Sequence, residues 1–205
     1  LVATWVTLFS LCSTAMLLGN KAVLASFPFP LALTCVQLFS AALLVFPFVL
    51  HSGSTKLSWK ELGYYVFEGA LFSVSIFASL KSLVLTNIGT VIIARSCLPI
   101  TVYVGERLQG KSSHLSWRSC ASLIGVTCFG SFYALDAKGV RITSTGLTWV
   151  VFWLLLVALQ MIYGKWLVDS VKISNTERVL YTNLLGLPLL VPLASGELIS
   201  LYDAM

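Results

Sequence analysis

The chain has 205 residues, of which 58% are hydrophobic and 10% are charged, and its mean hydropathy is +0.92. Soluble domains carry about 25% charged residues, so this composition excludes a water-soluble enzyme, a disordered chain and a disulfide scaffold. The net charge of +5 comes with no basic stripe of the kind that binds nucleic acid. The chain is therefore predicted to lie in a lipid bilayer.

Seven apolar runs of about 18 or more residues predict transmembrane helices. In chain order they cover residues 2–20, 30–50, 62–80, 86–104, 118–135, 146–167 and 179–195. Transmembrane β-strands would alternate polar and apolar residues, and the run from 148 to 159 shows no alternation. The predicted fold is an all-α polytopic bundle with seven helices in this chain. Since the first residue is not Met and the last follows a span, we expect a fragment of a longer protein.

Lys and Arg accumulate on one side of the predicted bundle. Loops after spans two, four and six contain eight of them, and loops after spans one, three and five contain four. The eight are Lys56, Lys60, Arg107, Lys111, Arg118, Lys165, Lys172 and Arg178, and the four are Lys21, Lys81, Lys138 and Arg141. Cytoplasmic loops hold the excess of basic residues in membrane proteins, so the N-terminus is predicted to be cytoplasmic.

The cysteines and histidines indicate neither a metal site nor a disulfide framework. All five cysteines fall within predicted spans, no two form a C-x-x-C pair, and both histidines lie in loops. The phosphate-binding glycine loop, the dinucleotide motif and the serine nucleophile motif are also missing from the sequence. No metal or other cofactor is expected, and any transport would be secondary or passive.

Arg95 lies near the middle of the fourth predicted span, where a guanidinium must face protein or water. Its five N–H donors suit phosphate oxygens in a bidentate geometry that lysine lacks, so we interpret it as a phosphate-binding residue in a central cavity. The alternative is an internal ion pair with Glu68 of the third span. Helix geometry puts Glu68 roughly 9 Å and Arg95 roughly 13 Å from the cytoplasmic side, close enough for contact.

Polar side chains also open the seventh and second spans. Tyr181, Thr182 and Asn183 begin an otherwise apolar helix, where an Asn amide suits the edge of a nucleobase and a Tyr can stack or donate. The alternative is hydrogen bonding between helices, for which Asn and Thr are common in membranes. Thr34 and Gln37 lie one turn apart on one face of the second span.

A short internal repeat links the first span to the sixth. Residues 18–24 (LGNKAVL) resemble residues 162–168 (IYGKWLV), and polar residues and a proline follow each copy. The copies lie five spans apart, an odd number, so the second would be inverted, as in many secondary transporters. We therefore divide the chain into a first five-helix repeat, residues 1–145, and the first two helices of a truncated second repeat, residues 146–205.

The early part of the chain also carries recognisable motifs. Asn20-Lys21, followed by residues 29–37 (FPLALTCVQ), is similar to an N-K pair and an F-P-x-x-L-T-x-x-Q opening. Residues 79–83 (SLKSL) and 94–101 (ARSCLPIT) resemble an S-L-K/Q-x-L motif and a basic-x-x-x-Pro motif of a fourth span.

The later part of the chain carries further motifs. Asp136, then residues 146–149 (GLTW), match a D and a G-x-x-W entry to a sixth span, and residues 180–183 (LYTN) are similar to a seventh-span F-Y-N-N group. Over nearly all of its length the chain thus resembles the nucleotide-sugar and triose-phosphate translocators of the drug/metabolite transporter superfamily. In the last motif, Leu and Thr replace Phe and the first Asn.

The resemblance implies a ten-helix inverted-repeat transporter and roles for named residues. The basic residue of the fourth span lines the central cavity near substrate phosphate in that family, which implies this role for Arg95. The F-Y-N-N stretch is associated with nucleotide recognition. The candidate binding residues are Arg95, Tyr181, Thr182, Asn183, Asn20, Lys21, Thr34 and Gln37. The ninth-span family motif has no counterpart here, so this chain is not expected to transport alone.

The expected function is a secondary antiporter, not an enzyme, that exchanges a nucleotide sugar for a nucleoside monophosphate across the Golgi membrane, or that of the endoplasmic reticulum. Alternatives are a sugar-phosphate/phosphate exchanger of a plastid-type membrane, a seven-helix receptor with its N-terminus outside, and a membrane-embedded enzyme. The expected partners are the two nucleotides and the bilayer, without nucleic acid. Both a monomer and a homodimer stay open.

Overall fold

The computed structural model describes residues 2–52, 57–108 and 143–204, together with four helical residue pairs between 117 and 129. Six long helices fill the three long ranges, and these ranges contain no strand. The helices are α1 (Val2–Ser26), α2 (Pro30–Ser52), α3 (Trp59–Leu85), α4 (Ile88–Leu108), α5 (Ser144–Ser170) and α6 (Asn175–Ala204). All six are long and apolar enough to cross a membrane, so the predicted polytopic helical architecture is confirmed.

The helices are longer than the predicted spans. At the starts of α3 and α6, polar capping residues bind the free backbone N–H groups, so the helix begins before the apolar run. At the start of α3, the Ser58 side chain accepts the N–H of Glu61 and the Glu61 carboxylate accepts the N–H of Ser58. Ser174 and Glu177 form the same reciprocal pair at the start of α6. The predicted span at 118–135 lies largely outside the described residues, so the count of seven stays a prediction.

α3 is the central helix, since α1, α2, α4, α5 and α6 all contact it. Its second half forms the main apolar core with the neighbouring helices. The buried members of this core are Leu17, Leu24, Ala78, Leu80, Leu83, Val91, Ala94, Val150 and Trp153. Any side chain that points inward from α3 therefore faces another helix rather than lipid.

The backbones of α3 and α6 touch at two glycines. A Cβ atom at Gly69 would lie 2.9 Å from both the backbone N of Gly186 and the carbonyl oxygen of Thr182. A Cβ atom at Gly186 would collide with the Ser73 hydroxyl and lie 2.8 Å from the Gly69 carbonyl oxygen. Small residues four positions apart, on both helices, permit this approach, as is common between membrane helices.

α4 and α5 run in the same direction. α4 follows α3 after a two-residue turn, and the Thr143 hydroxyl before α5 donates to the carbonyl of Leu85, at the end of α3, over 3.3 Å. At their other ends, Lys165 Nζ of α5 lies 2.7 Å from Glu106 Oε1 of α4 in an ion pair. The end of α4 and the start of α5 therefore lie at opposite ends of the bundle.

A carboxylate of α6 caps the start of α2. Glu197 Oε2 accepts the backbone N–H groups of Leu31 over 3.0 Å and of Ala32 over 3.2 Å. Pro30, the first residue of α2, has no N–H to satisfy. A negative charge is favourable at this helix end because free amides and the positive end of the helix dipole lie there.

Candidate functional site

A cavity of about 530 Å³ opens between α1, α2, α3, α4 and α6. Most of its wall is apolar, including Phe72 and Ile76 of α3. Its polar lining residues are Asn20, Gln37, Ser40, Ser79, Arg95 and Asn183. Four residues singled out from the sequence, Asn20, Gln37, Arg95 and Asn183, are thus brought together from four different helices. Cavities of this size and character are typical small-molecule sites.

Arg95 reaches the cavity from α4 and is held on two sides. Its Nη1 donates to the Ser13 hydroxyl of α1 over 3.1 Å, and its guanidinium carbon lies 5.8 Å from the ring centre of Trp153 on α5. This ring provides a cation–π contact. The Nε of Arg95 is buried and has no hydrogen-bond partner. A half-buried guanidinium that lines a cavity is suited to an anionic ligand that supplies acceptors.

Amide groups supply the other recognition chemistry. Gln37 Nε2 of α2 donates to Asn20 Oδ1 of α1 over 2.7 Å, which ties the two helices together beside the cavity. Asn183 is 5% exposed and its Nδ2 donates to the carbonyl of Val179, one turn earlier on α6. Amides combine donors with an acceptor, so they suit neutral polar edges rather than phosphate.

Lys21 and Thr34 lie outside the cavity lining. The Lys21 ammonium donates to the carbonyls of Leu83 and of Thr86, the latter over 3.1 Å, at the end of α3. A cation is favourable there because the negative end of the helix dipole faces it. Thr34 is fully buried, and its hydroxyl donates to the carbonyl of Pro30 within α2. Asn20, which is next to Lys21, and Gln37, which lies one turn after Thr34, line the cavity instead.

Tyr181 and Thr182 also lie outside the cavity lining. The ring of Tyr181 packs against Tyr65 of α3, with 5.8 Å between ring centres. Thr182 takes part in the close crossing of α6 with α3 through its backbone at Gly69. Of the polar group formed by Tyr181, Thr182 and Asn183, which lies inside α6, Asn183 is the member that lines the cavity.

The structure does not contain the alternative ion pair between Glu68 and Arg95. Glu68 faces Gln160 of α5, while Arg95 bonds to Ser13 of α1. The longer helices account for this difference. Counted from the helix ends on that side, Glu68 lies about 14 Å deep and Arg95 about 20 Å deep, more than one helical turn apart.

Sequence reasoning missed Ser13, Phe72, Ser79 and Trp153 as residues at the site. Ser13 has a signal in the sequence, because it precedes Asn20 by two helical turns and so lies on the same face of α1. Ser79 stands in one of the recognised motifs without having been assigned a role. Phe72 and Trp153 have no such signal, since they are two of many aromatic residues in apolar runs.

The site has one positive group and several neutral polar groups. Across residues 2–52, 57–108 and 143–204, no three His, Cys, Asp or Glu side chains gather as metal ligands. The arrangement can bind an anion at Arg95 and orient a polar, partly apolar body along the rest of the cavity.

Two curated proteins of Arabidopsis thaliana are similar to this chain. The GDP-mannose transporter GONST3 is 30% identical over 193 residues, which cover 89% of this chain and 49% of that protein. GDP-fucose transporter 1 is 25% identical over 206 residues, which cover 96% of this chain and 58% of that protein. The chain therefore spans about half the length of the curated relatives it matches. No family model and no solved structure matches it.

Both relatives are nucleotide-sugar transporters rather than enzymes. Their similarity extends over most of this chain, and the six apolar helices agree with a membrane transporter. The resemblance drawn from the sequence motifs is confirmed: over most of its length this chain of apolar helices is similar to nucleotide-sugar transporters.

Proposed function

We propose that this chain forms the substrate-binding part of a secondary antiporter that carries a nucleotide sugar across an endomembrane in exchange for a nucleoside monophosphate. The observation that carries the proposal is the cavity whose lining combines the guanidinium of Arg95 with amides of three other helices. A nucleotide sugar has matching chemistry, with an anionic diphosphate between two uncharged polar ends.

The proposed binding mode divides the cavity by chemistry. Arg95 binds the phosphate oxygens, which are present in both exchanged ligands. Asn183 and the Asn20–Gln37 pair bind the uncharged ends, with Phe72 as an apolar surface for a ring. Tyr181, Thr182, Lys21 and Thr34 would act indirectly, by positioning these residues. Both relatives are named for GDP sugars, so GDP sugars are the first substrates to test.

The proposed transport is an exchange of ligands, because a carrier whose binding site is empty is energetically unfavourable. A guanidinium at membrane depth without its anion is unfavourable, so the empty carrier reorients slowly and the loaded carrier reorients readily. A nucleoside monophosphate retains the phosphate that Arg95 requires and can therefore drive the return step.

We also propose that residues 1–145 are a five-helix repeat and residues 146–205 begin an inverted second one, within a ten-helix fold. Support comes from α4 and α5, whose facing chain ends lie at opposite sides of the bundle. A span between them, predicted at 118–135, accounts for this arrangement. The Golgi membrane is the proposed location, because the antiport of nucleotide sugars is expected there.

The decisive test replaces Arg95 in the complete protein, reconstituted in liposomes preloaded with a nucleoside monophosphate. Radiolabelled GDP sugars, other nucleotide sugars and free sugar phosphates are offered in parallel. We expect nucleotide-sugar uptake in the unmodified protein and a loss of at least about 100-fold in Arg95→Ala, because the phosphate loses a charged hydrogen-bond partner. Arg95→Lys should recover part of the activity, since lysine keeps the charge without the bidentate geometry.

Arg107→Ala is the matched control. Arg107 lies on the same helix, is exposed, and its Nη1 donates to the Tyr103 hydroxyl one turn earlier. Its removal should leave uptake unchanged. Full activity of Arg95→Ala would reject the assigned site, uptake of sugar phosphates alone would favour the phosphate exchanger, and rapid uptake into empty liposomes would contradict obligatory exchange.

A further inference from the structure

Glu68 occupies a second polar site, separate from the cavity. Its side chain is 8% exposed and lies between α3 and α5, and it does not line the cavity around Arg95. Its carboxyl group contacts the amide of Gln160, and Oε1 lies 3.6 Å from the position of a Cβ at Gly164. The other oxygen, Oε2, is buried and has no hydrogen-bond partner.

Four basic residues of the described chain have partners other than Glu68. Lys165 pairs with a glutamate of α4, and Arg95 bonds to a serine of α1. Arg178 donates to carbonyls at the end of α5, and Lys21 donates to carbonyls at the end of α3. Within the described ranges, no cation lies within 4 Å of Glu68 to neutralise it.

The side chains around Glu68 are mostly neutral phenols, hydroxyls and amides. Tyr163 and Gln160 face it from α5, and Tyr65 lies one turn before it on α3. The charged groups near the start of α6 and of α3 interact with Tyr65 rather than with Glu68; they are Arg178, Glu177 and Glu61. An ionised carboxylate without a cation is strongly disfavoured in such a setting, whereas a neutral carboxylic acid is tolerated.

A chain of polar side chains leads from Glu68 toward the cavity. Gln160 contacts Glu68 through its amide nitrogen and accepts the Ser75 hydroxyl at its Oε1 over 3.0 Å. Ser79, which lines the cavity, lies one helical turn beyond Ser75 on α3. Because an amide nitrogen does not take up a proton, exchange of the proton between the acid and the cavity would run through water beside these groups.

We propose that Glu68 is a proton-binding site of this protein, which stays loaded with one proton at neutral pH while α3 and α5 are packed together. Binding forms an O–H bond between a proton from water and Oε2, and release returns the proton to water and leaves an uncompensated carboxylate at the helix interface. The inference goes beyond the transport proposed above, because proton binding can be measured without any substrate.

Infrared spectroscopy of the complete protein in lipid vesicles gives the direct test. The carbonyl stretch of a protonated carboxylic acid differs from that of a carboxylate. We expect a protonated-acid band at neutral pH that Glu68→Gln removes, that Glu68→Asp retains in shifted form, and that disappears in the unmodified protein at alkaline pH. Identical neutral-pH spectra for the unmodified protein and Glu68→Gln would overturn the proposal.

The control is Glu61→Gln, because Glu61 is a second glutamate of α3 that lies near its start in a capping box with Ser58. It should keep the band. In the exchange assay, uptake by the unmodified protein should fall as the pH rises above neutral, and Glu68→Gln should flatten this profile rather than only scale it down. Absent uptake at every pH would contradict the proposed function and leave the spectroscopic result to decide the proton site.

Discussion

Ser13 sets the direction in which Arg95 presents its guanidinium. The hydroxyl accepts one donor from Nη1 on the α1 side, while the Trp153 ring covers the group from α5. A side chain with this many rotatable bonds gains affinity for a ligand when its partners restrict it before binding. Ser13 is thus a positioning residue for the site, although it contributes no charge.

Ser13→Ala should weaken binding by about 1 kcal/mol, the usual contribution of one hydrogen bond, which is about fivefold in KM. The maximal uptake rate should stay nearly unchanged, because the chemistry of the cavity is intact. Initial uptake rates over a range of nucleotide-sugar concentrations separate these two quantities. Ser10→Ala is the control, since the Ser10 hydroxyl bonds to Val6 within its own helix; equal KM effects in both variants would argue against a positioning role.

At the scale of helices, the crossing of α3 with α6 determines where Asn183 stands. Gly69 and Gly186 allow the two backbones to touch, and the adjacent Asn183 then reaches the cavity that Phe72 of α3 also lines. A larger residue at the crossing must move one helix away from the other, because the blocking atoms belong to the backbone and cannot rotate aside.

Gly69→Ala should therefore destabilise the protein by about 2 kcal/mol through overpacking. The same change at Gly63, also on α3 but with open space around its Cα, should be neutral or stabilise by up to about 1 kcal/mol, because Ala favours helix over Gly. Thermal unfolding of the two variants in detergent measures the contrast. Equal shifts of the same sign would show that helix propensity, and not the crossing, controls the outcome.

At the scale of the molecule, basic residues collect at one end of the bundle. Lys60, Arg107, Lys172 and Arg178 lie where α3 and α6 begin and where α4 and α5 end. The opposite end has fewer, and Lys21 there is bound to carbonyls of α3. The asymmetry favours a cytoplasmic orientation for the first end, with the N-terminus on the same side.

Single cysteines at Ser26 and Ser170 test this orientation, in a background from which the five native cysteines are removed. Both serines are exposed and end their helices, Ser26 as the last residue of α1 and Ser170 as the last residue of α5. In sealed vesicles with the cytoplasmic face outward, an impermeant thiol reagent should label Ser170→Cys and leave Ser26→Cys unlabelled until detergent is added. The reverse labelling pattern would show the opposite topology. Labelling of both cysteines, or of neither, would contradict the predicted span between α4 and α5.

The sequence was sufficient to predict the six described helices, because bilayer solvation acts on every apolar run in the same way. It also identified Asn20, Gln37, Arg95 and Asn183, which line the cavity, since polar residues at membrane depth are rare and need a partner. It could not separate Asn20 from Lys21. These neighbours project in different directions, and only the packing of α1 on α3 determines which one faces the cavity.

The failed pairing of Glu68 with Arg95 has a related cause. Depth along a helix can be counted from the sequence only as well as its ends are known, and α4 continues to Leu108, beyond the predicted end at residue 104, which places Arg95 deeper. The sequence also does not determine which helices pack against each other, because α3 contacts five others. Both quantities depend on contacts between distant parts of the chain.

The cap that Glu197 places on α2 has a consequence for biosynthesis. Leu31 leaves the ribosome 166 residues before the carboxylate that satisfies its amide exists. Until then, the newly inserted α2 has bare N–H groups at its first turn, which water or the insertion machinery must hydrate. Maturation of α2 is therefore completed only once Glu197 of α6 has been synthesised, so a ribosome stalled before Glu197 should leave α2 more accessible to protease at that end.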